Sequence, residues 1–179
     1  NMNGCIVVGE DGRMPNSPLA SKCTVGTGNG PDVDIIVDPI DGTNLLIKGL
    51  PGAISVLGIA PRGAMWSPVA ANYLEKIVVD RRVADALVPD CMTAPAAWTL
   101  ALIARVLNKS IRDLSVIVLN RPRHQDLIAE IRLTGARILL RDEADAEGAL
   151  LAVDVDSEID ALMGVGGATQ GILAACMAR

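Results

Sequence analysis

The sequence has no phenylalanine, one tyrosine and two tryptophans in 179 residues, and sixteen Lys and Arg stand against twenty-one Asp and Glu for a formal net charge of -5. Nucleic-acid binders use a basic footprint and aromatic platforms for bases, and both are missing, so no nucleic-acid partner is expected. Long hydrophobic runs are missing too. The most apolar stretches, Ala94 to Ala104 and Ile172 to Met177, are too short or too interrupted to span a bilayer, and the opening residues lack a basic, apolar, small-residue leader. Neither export nor a membrane is expected. There is a single histidine, His124, and the four cysteines Cys5, Cys23, Cys91 and Cys176 are scattered without a C-x-x-C pair, which leaves a zinc cluster short of ligands. Reduced thiols in a cytoplasmic protein are expected.

What is present is apolar bulk. Half of the residues are hydrophobic, enough to bury a core in one domain or two small ones. Short β-branched runs, "CIVVG", "VDIIV", "AISVLGIA" and "YLEKIVV", separated by Gly, Pro and Asn, predict a strand-rich first half. Between the first two lies "EDGRMPNSPLASKCTVGTGNGPD", rich in turn formers and read as a long loop. The second half alternates: a helix over "TAPAAWTLALIARVLNKS" after a Thr suited to capping, a strand "LSVIVLN", a helix over "RPRHQDLIAEIRLTG" closed by Gly135, and a strand "ARILLR". A short helix "DEADAEGALLAV", a strand "IDALMGVGG" running into a glycine turn and a helix "ATQGILAACMAR" complete it. This is α/β grammar, an α+β layered sandwich with a strand-rich lobe over residues 1–90 and an α/β lobe over residues 91–179.

The chemistry concentrates in "VDIIVDPIDGT". A strand delivers Asp38, Pro39 fixes the next turn, and Gly42 lets the chain reverse, so Asp38 and Asp41 converge. Two close carboxylates repel, and an oxygen-only pair suits a hard cation such as Mg²⁺ or Mn²⁺, which polarises a phosphoryl oxygen and acidifies water. Thr43 stands where it orients that water or a phosphate. The plainer reading is ordinary D-G turn chemistry. Gly164, Gly166 and Gly167 free backbone N–H groups at a helix N-terminus, an anion site or plain architecture. Arg121 and Arg123 flank a proline at a helix start, where they grip phosphate or are merely solvated. His124 reads as a helix-surface or capping residue.

The string D-P-I-D-G-T resembles the metal-binding signature of the lithium-sensitive phosphomonoesterase superfamily. Further stretches, "NMNGCIVVGE", "KGLPGAISVLGIAPRGAMW", "YLEKIVV", "NRPRHQDLIAEIRLTGARI" and "DSEIDALMGVGGATQG", resemble class II fructose-1,6-bisphosphatases of the bacterial type over nearly the whole chain. The resemblance implies a sugar-phosphatase-like fold and a phosphoric monoester hydrolase releasing the 1-phosphate of fructose 1,6-bisphosphate in gluconeogenesis, working as a homo-oligomer. It implies Glu10, Asp38, Asp41 and Gln170 as ligands of Mg²⁺ or Mn²⁺, with Asp38, Asp41 and Thr43 catalytic. Asp41, Gly42, Thr43, Tyr73, Arg121, Pro122, Arg123, Glu143, Ala144, Asp145 and Gly167 are implied to bind substrate, with Lys48 a weaker candidate. The alternative is a diverged or non-catalytic sugar-phosphate binder, or a phosphatase for another sugar or inositol phosphate.

The sequence departs from that pattern in named places. Gln170 stands where the family has Glu, and an amide ligates without charge and cannot act as a base, so a weakened metal site is expected. The stretch "GEDGRMPNSPLA" keeps Glu10 but lacks the acids that follow it in the family, and Ala144 replaces the glycine of a D-G-D turn. The family places a further Asp ligand before residue 1 and a region after Arg179, so a piece of a longer protein is expected.

Overall fold

The short β-branched runs become strands in the computed structural model, which describes residues 1–11, 17–67 and 71–178. β1 (Asn3–Val8), β2 (Thr24–Val25), β3 (Asp32–Asp41) and β4 (Ile54–Pro61) form one sheet in the order β2-β1-β3-β4. β1 and β3 are parallel, and β2 and β4 add antiparallel at the edges. β5 (Tyr73–Val79), β6 (Ser115–Leu119), β7 (Arg137–Arg141) and β8 (Ala161–Gly167) form a second sheet in the order β5-β8-β6-β7, with β5 antiparallel to β8 and the rest parallel. β5 is therefore hydrogen-bonded into the second sheet, and the change of sheet along the chain falls between Pro61 and Tyr73.

The helices are α1 (Thr43–Ile47), α2 (Arg81–Ala84), α3 (Ala96–Leu107), α4 (Gln125–Thr134), α5 (Asp145–Val153) and α6 (Ala168–Met177). β6 explains how they stack. Its five residues are all buried and alternate in direction. Val116 and Val118 pack with Leu100, Ile103, Ile128 and Ile131 of α3 and α4, while Ile117 packs with Ala149 and Ala152 of α5 and Ala174 of α6. Each such aliphatic side chain contributes roughly 1.5–3 kcal/mol on burial. α6 turns Ile172 and Leu173 toward Val8 and Ile36 of the first sheet. The layers run first sheet, α5 with α6, second sheet, α3 with α4: the expected α/β sandwich.

The helix ends follow local chemistry, with one correction. Gly135 closes α4 at φ 83, as the glycine predicts. Thr93 does not cap α3. It ends the 3-10 turn Pro89–Met92, two residues before Pro95, and the Ala96 N–H is accepted instead by Glu130 Oε2 of α4 at 2.9 Å, a cap delivered from a neighbouring helix. Ala144, before α5, sits at φ 66, a left-handed conformation that suits the missing glycine better than alanine.

Candidate active site

β3 and β4 lose register between Asp38 and Asp41. Strict alternation would send residues three apart to opposite faces, and the irregularity, at a proline with no N–H to give, leaves both acids buried. Gly42 then takes φ 91 and the chain turns directly into α1. Each acid is tied to a layer that its own strand does not belong to. Asp41 Oδ2 accepts the N–H of Ala146 in the first turn of α5 at 2.8 Å, and Asp38 Oδ2 accepts Nε2 of Gln170, at the third position of α6, at 2.6 Å. Burial, above all, raises the Asp41 pKa from 3.8 to about 6; the charges of Asp38 and Asp145 add to the rise, and the Ala146 and Glu147 N–H groups oppose it.

A second tie crosses the same seam. Glu143 Oε2 accepts the Asn44 N–H at 2.8 Å, its Oε1 accepts the Asn44 side-chain amide, and Arg121 approaches it at 3.9 Å. Arg123 donates from Nε and Nη2 to the Val165 carbonyl at 3.0 and 2.7 Å and lies 5.4 Å from the centre of the Tyr73 ring. Two of its N–H groups thus serve the β8 backbone, which fixes the plane of the guanidinium. Thr43 Oγ1 donates to the Ile40 carbonyl at 3.3 Å.

Two clefts open along the seam. One, of 480 Å³, is lined by Asp41, Gly42, Thr43, Tyr73, Arg121, Arg123, Glu143, Ala144, Asp145 and Gly167, together with Ile40, Leu119, Gly166 and Gln170. The other, of 400 Å³, holds Glu10, Asp38 and Gln170 and shares Tyr73, Gly167 and Gln170 with the first. Every candidate residue of the sequence reading except Pro122, Lys48 and Gly164 lines one of them. Pro122 instead starts the 3-10 turn before α4, and Lys48 is exposed beyond α1. Residues 12–16 of the stretch that follows Glu10 lie outside the described residues.

His124 corrects its sequence reading. It stands at the N-cap position of α4, but its side chain makes no capping hydrogen bond and it is only 2% exposed rather than on the surface. Its Nε2 receives the Val165 N–H at 2.9 Å and must accept, so Nδ1 carries the proton and donates to the Leu119 carbonyl at 2.7 Å. The ring therefore joins the Arg121–Arg123 turn to β8. Gly164, at φ 133, makes room for it, since a Cβ there would stand 2.9 Å from Nε2.

Sequence reasoning also passed over Lys76 and Asn44. Lys76, a cation in the middle of the apolar run "YLEKIVV", is 9% exposed and ion-paired with Asp145. That break in an apolar run was the available signal.

Glu10, Asp38, Asp41 and Gln170 offer oxygen donors only, the donor type that hard divalent cations take. The raised proton affinity of Asp41, partly due to Asp38, marks negative charge that such a cation would relieve. Among the described residues no three His, Cys, Asp or Glu side chains come together as a metal cluster: Glu10 and Asp38 line one cleft and Asp41 the other, and the Gln170 N–H serves Asp38.

The family described as bacterial fructose-1,6-bisphosphatase, glpX-encoded, matches residues 1–179. Fructose-1,6-bisphosphatase 1 class 2 of Escherichia coli (strain K12) is 35% identical over 180 residues, which cover 100% of this chain and 52% of that protein. Fructose-1,6-bisphosphatase class 2 of Escherichia coli O6:H1 and that of Shigella flexneri match with the same 35% identity and coverage. The chain spans about half the length of the curated relatives it matches.

Proposed function

The chain belongs to the bacterial fructose-1,6-bisphosphatase family, and on that premise we propose that the protein is a metal-dependent phosphomonoesterase that releases the 1-phosphate of fructose 1,6-bisphosphate. The observation that carries the reading is the 480 Å³ cleft, where segments spread from Asp41 to Gln170 bring together two arginines, the acids Glu143 and Asp145 and a glycine turn.

In this reading each group has a task that its surroundings support. Arg121 and Arg123 hold a phosphate, and Arg123 is preorganised by the Val165 carbonyl and the Tyr73 ring. The backbone at Gly166 and Gly167, leading into the N-terminus of α6, faces the same anion. Glu143 and Asp145 accept sugar hydroxyls. Glu10, Asp38, Asp41 and Gln170 would hold Mg²⁺ or Mn²⁺, which when bound polarises a phosphoryl oxygen and lowers the pKa of water. Asp41, its pKa raised to about 6 chiefly by burial in the metal-free chain, is ionised at neutral pH and so available to the cation. Thr43 orients the attacking water. Homo-oligomeric assembly and a cytoplasmic location belong to the same proposal. Cys5, Cys23 and Cys91 are free thiols, and among the described residues no helix is long and apolar enough to cross a membrane.

The test is phosphate release by the full-length protein from fructose 1,6-bisphosphate, with inositol monophosphate alongside, at saturating Mg²⁺ or Mn²⁺. Fructose 6-phosphate should appear as product, and chelator should abolish the reaction. Asp38→Asn should lower it at least 100-fold. Absence of release from every sugar phosphate tried would sink the reading.

A further inference from the structure

We infer that Lys76 is a positioning residue of the sugar subsite: from behind the cleft wall its buried ammonium fixes the Asp145 carboxylate, and the glycine at position 166 exists to let the two meet. The inference deepens the proposed function and rests on it for the identity of the ligand.

Three observations carry it. First, the pair is buried on both sides, at 9% exposure for Lys76 and 6% for Asp145, and the ammonium donates directly to Asp145 Oδ2. A buried ion pair seldom adds stability over apolar residues of similar volume, whereas removal of one partner is costly, so its presence calls for a reason other than stability. Second, Asp145 lines the 480 Å³ cleft and Lys76 does not; Lys76 lines a separate 270 Å³ cavity with Glu75, Met163 and Val165. The ammonium therefore acts on the cleft through the carboxylate. Third, a Cβ on Gly166 would overlap both Asp145 Oδ2 and Lys76 Nζ. Gly166 stands in β8 without the positive φ that would itself demand glycine, so the space for the pair is what the missing side chain provides.

The charge arrangement says what the pairing does. Asp145 is the first residue of α5, and its charge adds to the rise in the Asp41 pKa. Without a cation behind it, a carboxylate so placed would be free to turn away from the cleft wall. With Lys76 attached to Oδ2, the Asp145 carboxylate is held in place on the cleft wall as a fixed acceptor, the chemistry that selects a hydroxyl over an ether or a phosphate oxygen.

The test uses the full-length protein and calorimetric titration with two probes, fructose 6-phosphate and inorganic phosphate. Lys76→Met should weaken fructose 6-phosphate about tenfold or more and leave inorganic phosphate within twofold; a merely structural lysine would move both together. The double variant Lys76→Met/Asp145→Asn removes both charges, guards against a failure of the single variant to fold, and should bind fructose 6-phosphate no worse than Asp145→Asn alone. A ligand-free readout separates this inference from the functional reading. Amide exchange at Ala146 and Glu147 should quicken at least tenfold in Lys76→Met, while the α4 amides Ile128 and Ile131 stay as in the wild type. If the wild type binds no sugar phosphate, the functional reading fails and the exchange result alone judges Lys76. Unchanged exchange at the start of α5, or wild-type affinity for fructose 6-phosphate in the double variant, overturns the inference.

Discussion

Replacing Asp41 with Asn removes a charge but keeps an oxygen able to accept the Ala146 N–H, now held at 2.8 Å. The folded chain raises the Asp41 pKa from 3.8 to about 6, through burial first and then the charges of Asp38 and Asp145. A carboxyl whose pKa rises on folding supports the fold fully only below its unfolded value. That support is lost as pH climbs through the folded value, here between about pH 4 and pH 6. At about 1.4 kcal/mol per tenfold change in proton affinity the loss is at most about 3 kcal/mol, and solvent screening at the cleft reduces it to about 1–2 kcal/mol. In chelator, urea unfolding at pH 4 and pH 8 should therefore find wild type losing about 1–2 kcal/mol more than Asp41→Asn across that span. Mg²⁺ at pH 8 should restore wild type and do little for the variant, because the ion binds the folded state through the carboxylate. Parallel pH dependence in the two proteins, or equal stabilisation of both by Mg²⁺, would refute the reasoning.

Ala144→Gly should stabilise the chain by about 1 kcal/mol in the same assay, since Ala144 stands at φ 66 where alanine is strained and glycine is not. Gln170→Glu replaces the amide that donates to Asp38 with a second negative group; thermal unfolding in chelator should fall by several degrees at pH 8, and the Mg²⁺ concentration for half-maximal stabilisation should drop about tenfold or more. His124→Ala leaves the Val165 N–H and the Leu119 carbonyl without the ring that joins them, and urea unfolding should register a loss of about 2–4 kcal/mol.

Much of the architecture was legible because local chemistry decides it. "VDIIV" leads to a proline where the strand loses register and then to a glycine turn, and "LTG" ends a helix at φ 83, each read from residues that tolerate few alternatives. The family motifs placed the cleft residues for the same reason, since Asp41, Arg123 and Gly167 each stand beside a turn of restricted geometry. What stayed hidden is pairing over distance. "YLEKIVV" reads as a strand but carries no signal that its partner is β8, nor that Lys76 will meet Asp145. A histidine after a helix-starting proline looks solvent-facing, and only the packing of that turn against β8 buries it. Thr93 resembles a cap by position, but Glu130 takes that role because tertiary packing brings α4 within reach of the Ala96 N–H.

The most direct test of the central claim is a crystal of the full-length protein soaked with Mn²⁺ and fructose 6-phosphate. The account predicts an anomalous peak ligated by Asp38 and Asp41, a phosphate held by Arg123, and a sugar hydroxyl on Asp145. Manganese away from those carboxylates, or a sugar phosphate bound outside the cleft between β3 and β8, would contradict it.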